Sequence, residues 1–247
     1  MHRCKDEVLS GKLQALRTAV PSKRLLRSIA NRPHRAWTTP EPEAWDVLEL
    51  MRKTDEKTTI VTCTRRGAAL VNDLVLEVLF THRHKTLLAE IPCDWDANME
   101  NFGDDNKVVQ GRAPRPCFTK IFRGARLFLT KNLNKKEDFV NGMTAFVEDY
   151  DAQAQCLTVM TKTEKRLAVY LVEERVEKAG TVTYFPVRLG YACTVQKIQG
   201  QTLPHVTLFL DRPGCRAAGY VALSRVQYDE DYLIAGRVCP RHFVPAK

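Results

Sequence analysis

A short segment near the end of the chain carries polar side chains where a packed helix would carry apolar ones. In YACTVQKIQGQTLPHVTLFL, residues 191–210, the long side chains of Gln196, Lys197 and Gln199 surround Gly200, and an alternating apolar run follows. These side chains donate hydrogen bonds. The pattern predicts a helix that ends at the glycine and leads into a buried strand, with an unusually polar last turn.

A second segment, AAGYVALSRV at 217–226, combines small residues with a single arginine. Ala218, Ala222 and Arg225 are spaced i, i+4 and i+7, which places them on one face of a helix. Small residues let another surface approach closely, and Arg225 at the end of that face can reach across into it. The alternative is that Arg225 caps the C-terminus of its own helix. The residues alone leave both interpretations open.

Other sites of phosphate or metal chemistry are not indicated. The 247 residues contain no GxxxxGK[ST] phosphate loop. Asp229, Glu230 and Asp231 precede an apolar strand, which favours a solvated turn over a magnesium site. His82 and His84 lie among cationic neighbours, and the eight cysteines form no CxxC pair, so we predict no metal and reduced thiols.

The formal net charge is +9, and much of the excess lies in residues 1–40, where Asp6 and Glu7 are the only acids. Clustered cations suit a polyanion, with nucleic acid as the first candidate. A solvated helix face and an arginine-rich mitochondrial presequence are the alternatives. No apolar run reaches membrane-spanning length and no signal peptide is visible, so we expect an intracellular protein without a membrane partner.

The pattern of apolar residues predicts the elements that position these segments. Leu9, Leu13 and Leu16 indicate a helix that Pro21 closes, and further helices are expected in 22–31 and from Trp45. The β-rich run 58–64 is followed by a helical stripe in 65–80, which is half of a βαβ unit.

The middle of the chain differs from its two ends in composition and in predicted secondary structure. Residues 86–106 are acidic, without Lys or Arg until 107, and predict a surface loop. Five short β-rich runs between 115 and 188 predict a small antiparallel barrel or sheet. The predicted organisation is therefore an α/β domain formed by 1–85 and 189–247, interrupted by a β-rich insertion at 86–188.

Together, these motifs resemble those of one helicase family. TVQKIQGQTL followed by YVALSRV is similar to motifs five and six of superfamily-one RecD-like DNA helicases, closest to the petite-integration-frequency and Helitron branch. GARLFLTKNLNKKEDFVNGMTAFV resembles the segment that opens its SH3-like insertion. TCTRRGAALVN resembles the preceding strand and helix, and HRCKDEVLSGKLQALR resembles motif four. The resemblance implies the C-terminal half: a second RecA-like domain of the P-loop NTPase type, with an SH3-like insertion.

The resemblance also implies roles for single residues. Arg225 takes the place of the motif-six arginine that stabilises charge on the γ-phosphate, and Arg3 matches a second γ-phosphate contact. Gly200 and Gln201 would line the nucleotide. The residues expected to face the DNA backbone are Thr64, Thr194, Gln196 and Lys197.

Two features depart from the family pattern. Gln196 and Ile198 stand where His and Ser are usual, and Ile198 cannot donate a hydrogen bond. The phosphate loop and magnesium carboxylates of the first RecA-like domain are also missing from the 247 residues, so ATP and Mg²⁺ are expected only together with that domain, in cis or in trans.

The resulting hypothesis is the motor half of an ATP-dependent 5′-to-3′ DNA helicase that is inactive alone and binds single-stranded DNA. Repair, recombination and telomere maintenance are the associated processes, in the nucleus rather than the mitochondrion. The alternatives are a non-enzymatic single-stranded nucleic-acid-binding module and a decayed transposon fragment.

Overall fold

The computed structural model describes residues 4–103, 107–134, 136 and 139–246. The α-helices in this part are α1 (Glu7–Thr18), α2 (Lys23–Ile29), α3 (Ala44–Lys53), α4 (Arg65–Leu76) and α5 (Ala218–Leu223). The strands are β1 (Arg35–Trp37), β2 (Thr58–Thr62), β3 (Leu87–Cys93), β4 (Cys117–Phe122), β5 (Arg126–Leu129), β6 (Thr144–Asp151), β7 (Cys156–Thr161), β8 (Arg166–Val169), β9 (Val172–Val176), β10 (Gly180–Tyr184), β11 (Val187–Leu189), β12 (Ala192–Thr194), β13 (His205–Phe209) and β14 (Tyr232–Ala235).

The chain forms two compact units, of which the first combines residues 1–79 with 191–247. Its sheet has the strand order β1-β14-β13-β2-β12, and all neighbouring strands are parallel. Strands β2 and β14 are buried along their whole length, as expected for a parallel sheet covered on both faces. The predicted α/β class with a parallel sheet is confirmed.

Local sequence explains the helices of this unit. Asp6 caps α1 by accepting a hydrogen bond from the Leu9 backbone N–H at 2.8 Å, and Leu9, Leu13 and Leu16 are at most 1% exposed. Ser22 caps α2 in the same way. The three helices predicted before residue 54 are therefore confirmed.

The second unit consists of residues 80–190. Five strands form an antiparallel sheet of order β11-β5-β6-β7-β8, and β3 with β4 and β9 with β10 form two-stranded ribbons. The predicted antiparallel β-rich character of this region is confirmed. Its SH3-like nature and the domain boundaries at 85 and 188 stay predictions.

The interpretation of 86–106 as a loop is wrong for its first part. Residues 87–93 form β3, in which Ile91 and Cys93 are 1% exposed, while Glu90 lies opposite Lys120 of β4. The acidic residue occupies an exposed position of an alternating strand, so charge alone did not distinguish strand from loop.

Two helical predictions near the C-terminus also need correction. Residues 192–194 form β12, which pairs with β2, and only 195–198 form a short 3₁₀ turn. Tertiary pairing with β2 overrides the local helical preference. Helix α5 ends at Leu223, so Arg225 lies beyond it instead of on its face.

None of the helices in the described ranges has the length and apolar character needed to cross a lipid bilayer.

Candidate functional site

The predicted DNA-contacting threonines lie at one edge of the parallel sheet. Thr194 ends β12 and pairs in register with Thr62 of β2, two residues before Thr64. Asn72 of α4 fixes β12 because its side-chain amide donates to the Ala192 carbonyl at 3.0 Å and accepts from the Ala192 N–H at 2.9 Å. Carboxyl ends of neighbouring parallel strands are where α/β proteins bind ligands.

Thr64 is already engaged in holding the start of α4. Its hydroxyl accepts from the Gly67 N–H at 2.9 Å and donates to the Asp211 carboxylate. Asp211 also accepts the backbone N–H groups of Cys63 at 2.7 Å and Thr64 at 3.1 Å. In this structure Thr64 therefore positions α4, and a carboxylate occupies the N-terminal end where a phosphate would otherwise be attracted.

Asp211 was missed by the sequence analysis. It follows β13 after one intervening residue, so an acid just past the carboxyl end of a buried strand is the signal that could have identified it.

Gln196 and Lys197 occupy the 3₁₀ turn after β12. Their side chains are exposed, whereas Val195 and Ile198 of the same turn are 7% and 0% exposed. The turn is thus anchored by two apolar side chains and presents two polar ones. Ile198, which departs from the family pattern, is a core residue here.

The predicted nucleotide-side residues follow this turn. Gly200 has φ +84°, a left-handed conformation that glycine adopts without steric cost. The Gln201 backbone N–H donates to the Ile198 carbonyl at 3.1 Å, and its side-chain amide donates to the Lys197 carbonyl at 2.8 Å. These bonds fold the segment back on the 3₁₀ turn.

Backbone pairing brings Arg225 to this segment. The Leu203 N–H donates to the Arg225 carbonyl at 2.9 Å, although the two residues are far apart in sequence. The structure therefore joins Arg225 to the chain just after Gly200 and Gln201, through Leu203.

The Arg225 side chain lies against the C-terminus of α5. Its Nε donates to the Val221 carbonyl at 3.0 Å, and its Nη2 donates to Ser224 Oγ at 2.7 Å. This is the capping geometry that the sequence left as the alternative. The small residues of α5 serve the core: Ala218 and Ala222 are 3% and 0% exposed, and a β-carbon at Gly219 would collide with the Phe243 ring.

Arg3 lies outside the described residues. The chain just after it approaches the same region, because the Lys5 N–H donates to the Gln227 carbonyl at 3.0 Å.

Two groups near Asp211 are held uncharged. Burial raises the pKa of the Cys63 thiol, with further contributions from Cys215 and Asp211. Burial lowers the pKa of His242, whose Nε2 lies 2.7 Å from the Arg212 carbonyl oxygen. Neither is arranged as an activated nucleophile. This edge of the sheet can therefore supply polar and cationic side chains that bind a ligand.

A metal centre is not formed by the described ranges: no group of three or more His, Cys, Asp or Glu side chains there could hold an ion.

Comparison with known proteins finds Pif1 helicases among the proteins similar to this chain. No protein-family model matches the chain. An ATP-dependent DNA helicase PIF1 from Danio rerio is 29% identical over 126 residues, which is 49% of this chain and 20% of that protein. A Bacteroides Pif1 bound to ssDNA superposes with a TM-score of 0.64 at 15% identity, over 100% of this chain and 53% of the other. A Pif1 helicase from Candida albicans superposes with a TM-score of 0.63 at 17% identity, over 98% of this chain and 56% of the other.

The chain thus spans about half the length of the solved Pif1 chains it matches. The resemblance to Pif1-type helicases that the motifs indicated is confirmed, and the fold is that of about half of such a helicase.

Proposed function

We propose that this chain supplies the second RecA-like half of a Pif1-type, ATP-dependent 5′-to-3′ DNA helicase. The observation that supports the proposal best is the hydrogen bond between Leu203 N–H and the Arg225 carbonyl, because it joins the two motif segments at one place in the fold. One side of the 194–201 segment presents Gln196 and Lys197, and the other leads to Arg225. A segment of this form can transmit a change at the nucleotide to the nucleic acid.

The residues on the nucleotide side fit phosphate oxygens. Gly200 offers backbone with no side chain in the way, Gln201 offers an amide, and Arg225 offers a delocalised cation that can bind phosphate bidentately. Bound ATP and Mg²⁺ would supply the phosphoryl group and its charge neutralisation. The phosphate loop and magnesium carboxylates would come from the first RecA-like half, in the same polypeptide or another.

In this mechanism Arg225 has two positions. In the first, seen in the structure, it caps α5. In the second, the guanidinium would leave Val221 and Ser224 and turn toward the γ-phosphate, where it would stabilise the charge that develops during phosphoryl transfer. Its return to the helix end would be coupled to movement of the Gln196–Lys197 turn along the strand.

On the nucleic-acid side, Gln196, Lys197 and Thr194 would contact phosphates without reading sequence. A Bacteroides Pif1 of the same fold was solved with ssDNA and another with ADP-AlF4, which supports both ligand classes for the proposal. Thr64 contributes by fixing α4 beside β12. A nuclear location remains a prediction.

A non-enzymatic strand-binding module is the second candidate. The exposed Gln196 and Lys197 and the net charge of +9 favour it. The two candidates differ in whether Arg225 affects ATP hydrolysis.

The test uses the chain joined to the phosphate-loop half of a Pif1 helicase, with DNA-stimulated ATP hydrolysis as the measurement. We expect no hydrolysis from the chain alone and hydrolysis from the joined protein. Arg225→Lys should then lower kcat by about 10³-fold, because an arginine at this position acts in the transition state. Arg212→Lys, an exposed arginine of the same unit, is the matched control and should leave kcat unchanged.

Hydrolysis by the chain alone that is abolished by Arg225→Ala would contradict the need for a partner half. Unchanged kcat in the joined Arg225→Lys protein, together with intact binding of oligothymidine that Gln196→Ala/Lys197→Ala weakens, would leave the binding module as the function.

A further inference from the structure

The segment between Glu7 and Glu41 contains no acidic residue and seven Lys or Arg residues. Two of these have structural partners. Lys12 is 8% exposed and donates to Asp229 at 2.7 Å and to the Tyr232 hydroxyl at 3.0 Å, which corrects the expectation that Asp229 lies in a solvated turn. Arg35 donates to the Gly236 carbonyl at 2.8 Å.

The other five form what we call the α2 cation patch. All five side chains are exposed, and none makes an ion pair or hydrogen bond with a described residue. The members of the patch are Arg17, Lys23, Arg24, Arg27 and Arg32.

Helix α2 holds the centre of the patch on one face. Lys23 and Arg24 are four and three residues before Arg27, so each of the two is a neighbour of Arg27 on the helix surface, roughly 5–6 Å away at the β-carbons. The opposite face is anchored by Ile29, which is 0% exposed and whose carbonyl accepts from the Tyr232 hydroxyl at 3.3 Å. The buried side of α2 therefore fixes the helix that carries the patch to the core of the first unit.

Helix stability does not explain these cations. Lys23 and Arg24 occupy the first turn of α2, which contains no acid, and the helix dipole disfavours positive charge there. Three cations side by side also repel one another. Residues that oppose local stability in this way are typical of a binding surface.

The patch lies away from the predicted strand-binding residues. Arg32 lies just before β1, and the Ile29 carbonyl accepts a hydrogen bond from Tyr232 at the start of β14. The patch is therefore at the edge of the sheet where these parallel strands begin. Thr194 ends β12 and Gln196 follows it, three strand spacings from β14. With about 4.8 Å between strands and about 3.3 Å per residue along them, the two surfaces are roughly 20 Å apart.

The composition of the patch indicates its partner. Residues 8–36 contain no Phe, Tyr or Trp, so the helices that carry the patch supply no aromatic ring on which an unpaired base could stack. The side chains of the patch are all cationic and can neutralise phosphates. Charge without stacking groups fits a backbone whose bases are already paired.

We propose that the α2 cation patch binds the phosphate backbone of duplex nucleic acid, independently of sequence. This surface is separate from the Gln196–Lys197 turn and goes beyond the proposed motor function. Together the two surfaces would let one unit hold a single strand at one edge of its sheet and a duplex at the other.

The experiment measures binding of the purified chain to a short blunt fluorescein-labelled duplex and to fluorescein-labelled oligothymidine by anisotropy across a salt series. Lys23→Gln/Arg24→Gln/Arg27→Gln should weaken duplex binding at least about tenfold at low salt. It should also reduce the slope of log Kd against log salt by about 2 to 3, since each phosphate contact contributes about 0.9. Oligothymidine binding should change less than about twofold.

The matched control removes three exposed cations from the same unit in Arg52→Gln/Lys53→Gln/Lys57→Gln, where acids Glu49, Asp55 and Glu56 lie nearby. It should leave duplex binding close to that of the parent. Thermal unfolding of both variants checks that the substituted surfaces, being exposed, have not altered the fold.

Three results would overturn the proposal. One is an equal loss of duplex binding in the control, which would assign the effect to net charge. Another is an equal loss of oligothymidine binding in the α2 variant, which would make the patch a single-strand surface. The third is absence of duplex binding by the parent at low salt while a labelled polyglutamate peptide binds. Gln196→Ala/Lys197→Ala, which tests the other surface, should affect oligothymidine alone.

Discussion

At the scale of single residues, hydrogen bonds within the fold already engage some of the side chains that were predicted to contact ligands. Asp211 accepts hydrogen bonds from the backbone of Cys63 and from the backbone and hydroxyl of Thr64. Arg225 caps α5 through Val221. Thr64 and Arg225, two of the residues predicted to contact ligands, are therefore engaged in the structure, and the side chains of Gln196 and Lys197 are exposed.

His205, at the start of β13, is partly buried. Its Nδ1 lies 2.8 Å from Thr58 Oγ1, which lies 2.8 Å from Thr207 Oγ1. Burial, together with the charge of Lys53, lowers the pKa of His205 to about 4. The folded protein therefore holds this imidazole neutral at pH values where the unfolded chain protonates it.

The pH dependence of stability follows from that pKa. Above about pH 6.5, the ordinary histidine value, both states are neutral and His205 has no effect on the free energy of unfolding. As the pH falls from about 6.5 toward 4, the unfolded state binds more protons, so the folded state loses about 1–2 kcal/mol by pH 5, allowing for partial exposure of the ring. Urea unfolding at pH 7 and pH 5 measures this loss.

His205→Gln should reduce the difference between the two pH values, since one titrating group is removed. His82→Gln, at an exposed position, is the control and should keep the parent's dependence. A His205→Gln protein as acid-sensitive as the parent would contradict the assignment.

At the scale of elements, the start of α4 combines a cap, a carboxylate and a glycine. Thr64 caps the helix, and a β-carbon at Gly67 would collide with the Asp211 carboxylate. Gly67 is buried and lies in the first turn of the helix, where glycine lowers helix stability relative to alanine. Close approach of Asp211 explains why glycine is present.

Gly67→Ala should destabilise the protein by about 1–3 kcal/mol, although alanine favours helix by about 1 kcal/mol, because it displaces Asp211 from its donors. In an Asp211→Ala background the collision is absent, so Gly67→Ala should be neutral or stabilising. A double-mutant cycle by urea unfolding gives the coupling, expected at about 1–3 kcal/mol.

Gly11 of α1 provides the control, since a β-carbon there meets nothing within 4 Å. Gly11→Ala should stabilise the protein by up to about 1 kcal/mol. Additive effects of Gly67→Ala and Asp211→Ala would show that the glycine is not required by Asp211.

At the scale of the whole molecule, each unit has a core of its own. The parallel sheet of the first unit buries residues such as Ile60 and Leu208, and the antiparallel sheet of the second buries Leu127 and Val159. Two cores in one chain favour separate unfolding transitions.

The reactivity of a buried cysteine in each core can report the unfolding of that core separately. None of the eight cysteines, all of which lie in the described ranges, forms a disulfide, and Cys193 in the first unit and Cys93 in the second are 3% and 1% exposed. Burial also raises the pKa of Cys93, which lowers its reactive thiolate fraction. We expect pulse alkylation along a urea gradient, read by mass spectrometry, to show loss of protection at different urea concentrations for the two residues.

Alkylation of Cys4 and Cys239, which are partly exposed, should precede both and serves as the control. Simultaneous loss of protection at Cys93 and Cys193 would show that the two units unfold as one.

Local patterns predicted the elements that depend on local interactions. The leucine spacing of α1, the pattern of residues 22–31 for α2, and the β-rich run of β2 each indicated the correct element. They failed where partners distant in sequence decide the structure. Residues 192–194 became a strand because β2 lies beside them, and Arg225 fell outside α5 because that helix ends at Leu223.

The sequence by itself determined the α/β class, the motif set and the charge distribution, because periodicity, spacing and net charge are properties of the chain order. Tertiary structure decided which polar groups are engaged. Asp211 reaches Cys63 across 148 positions, and Asn72 reaches Ala192 across 120. It also decided that Lys12 is paired while the α2 cations face solvent. Hydrogen bonds and burial between distant segments depend on the packed arrangement of the strands, which no local pattern contains.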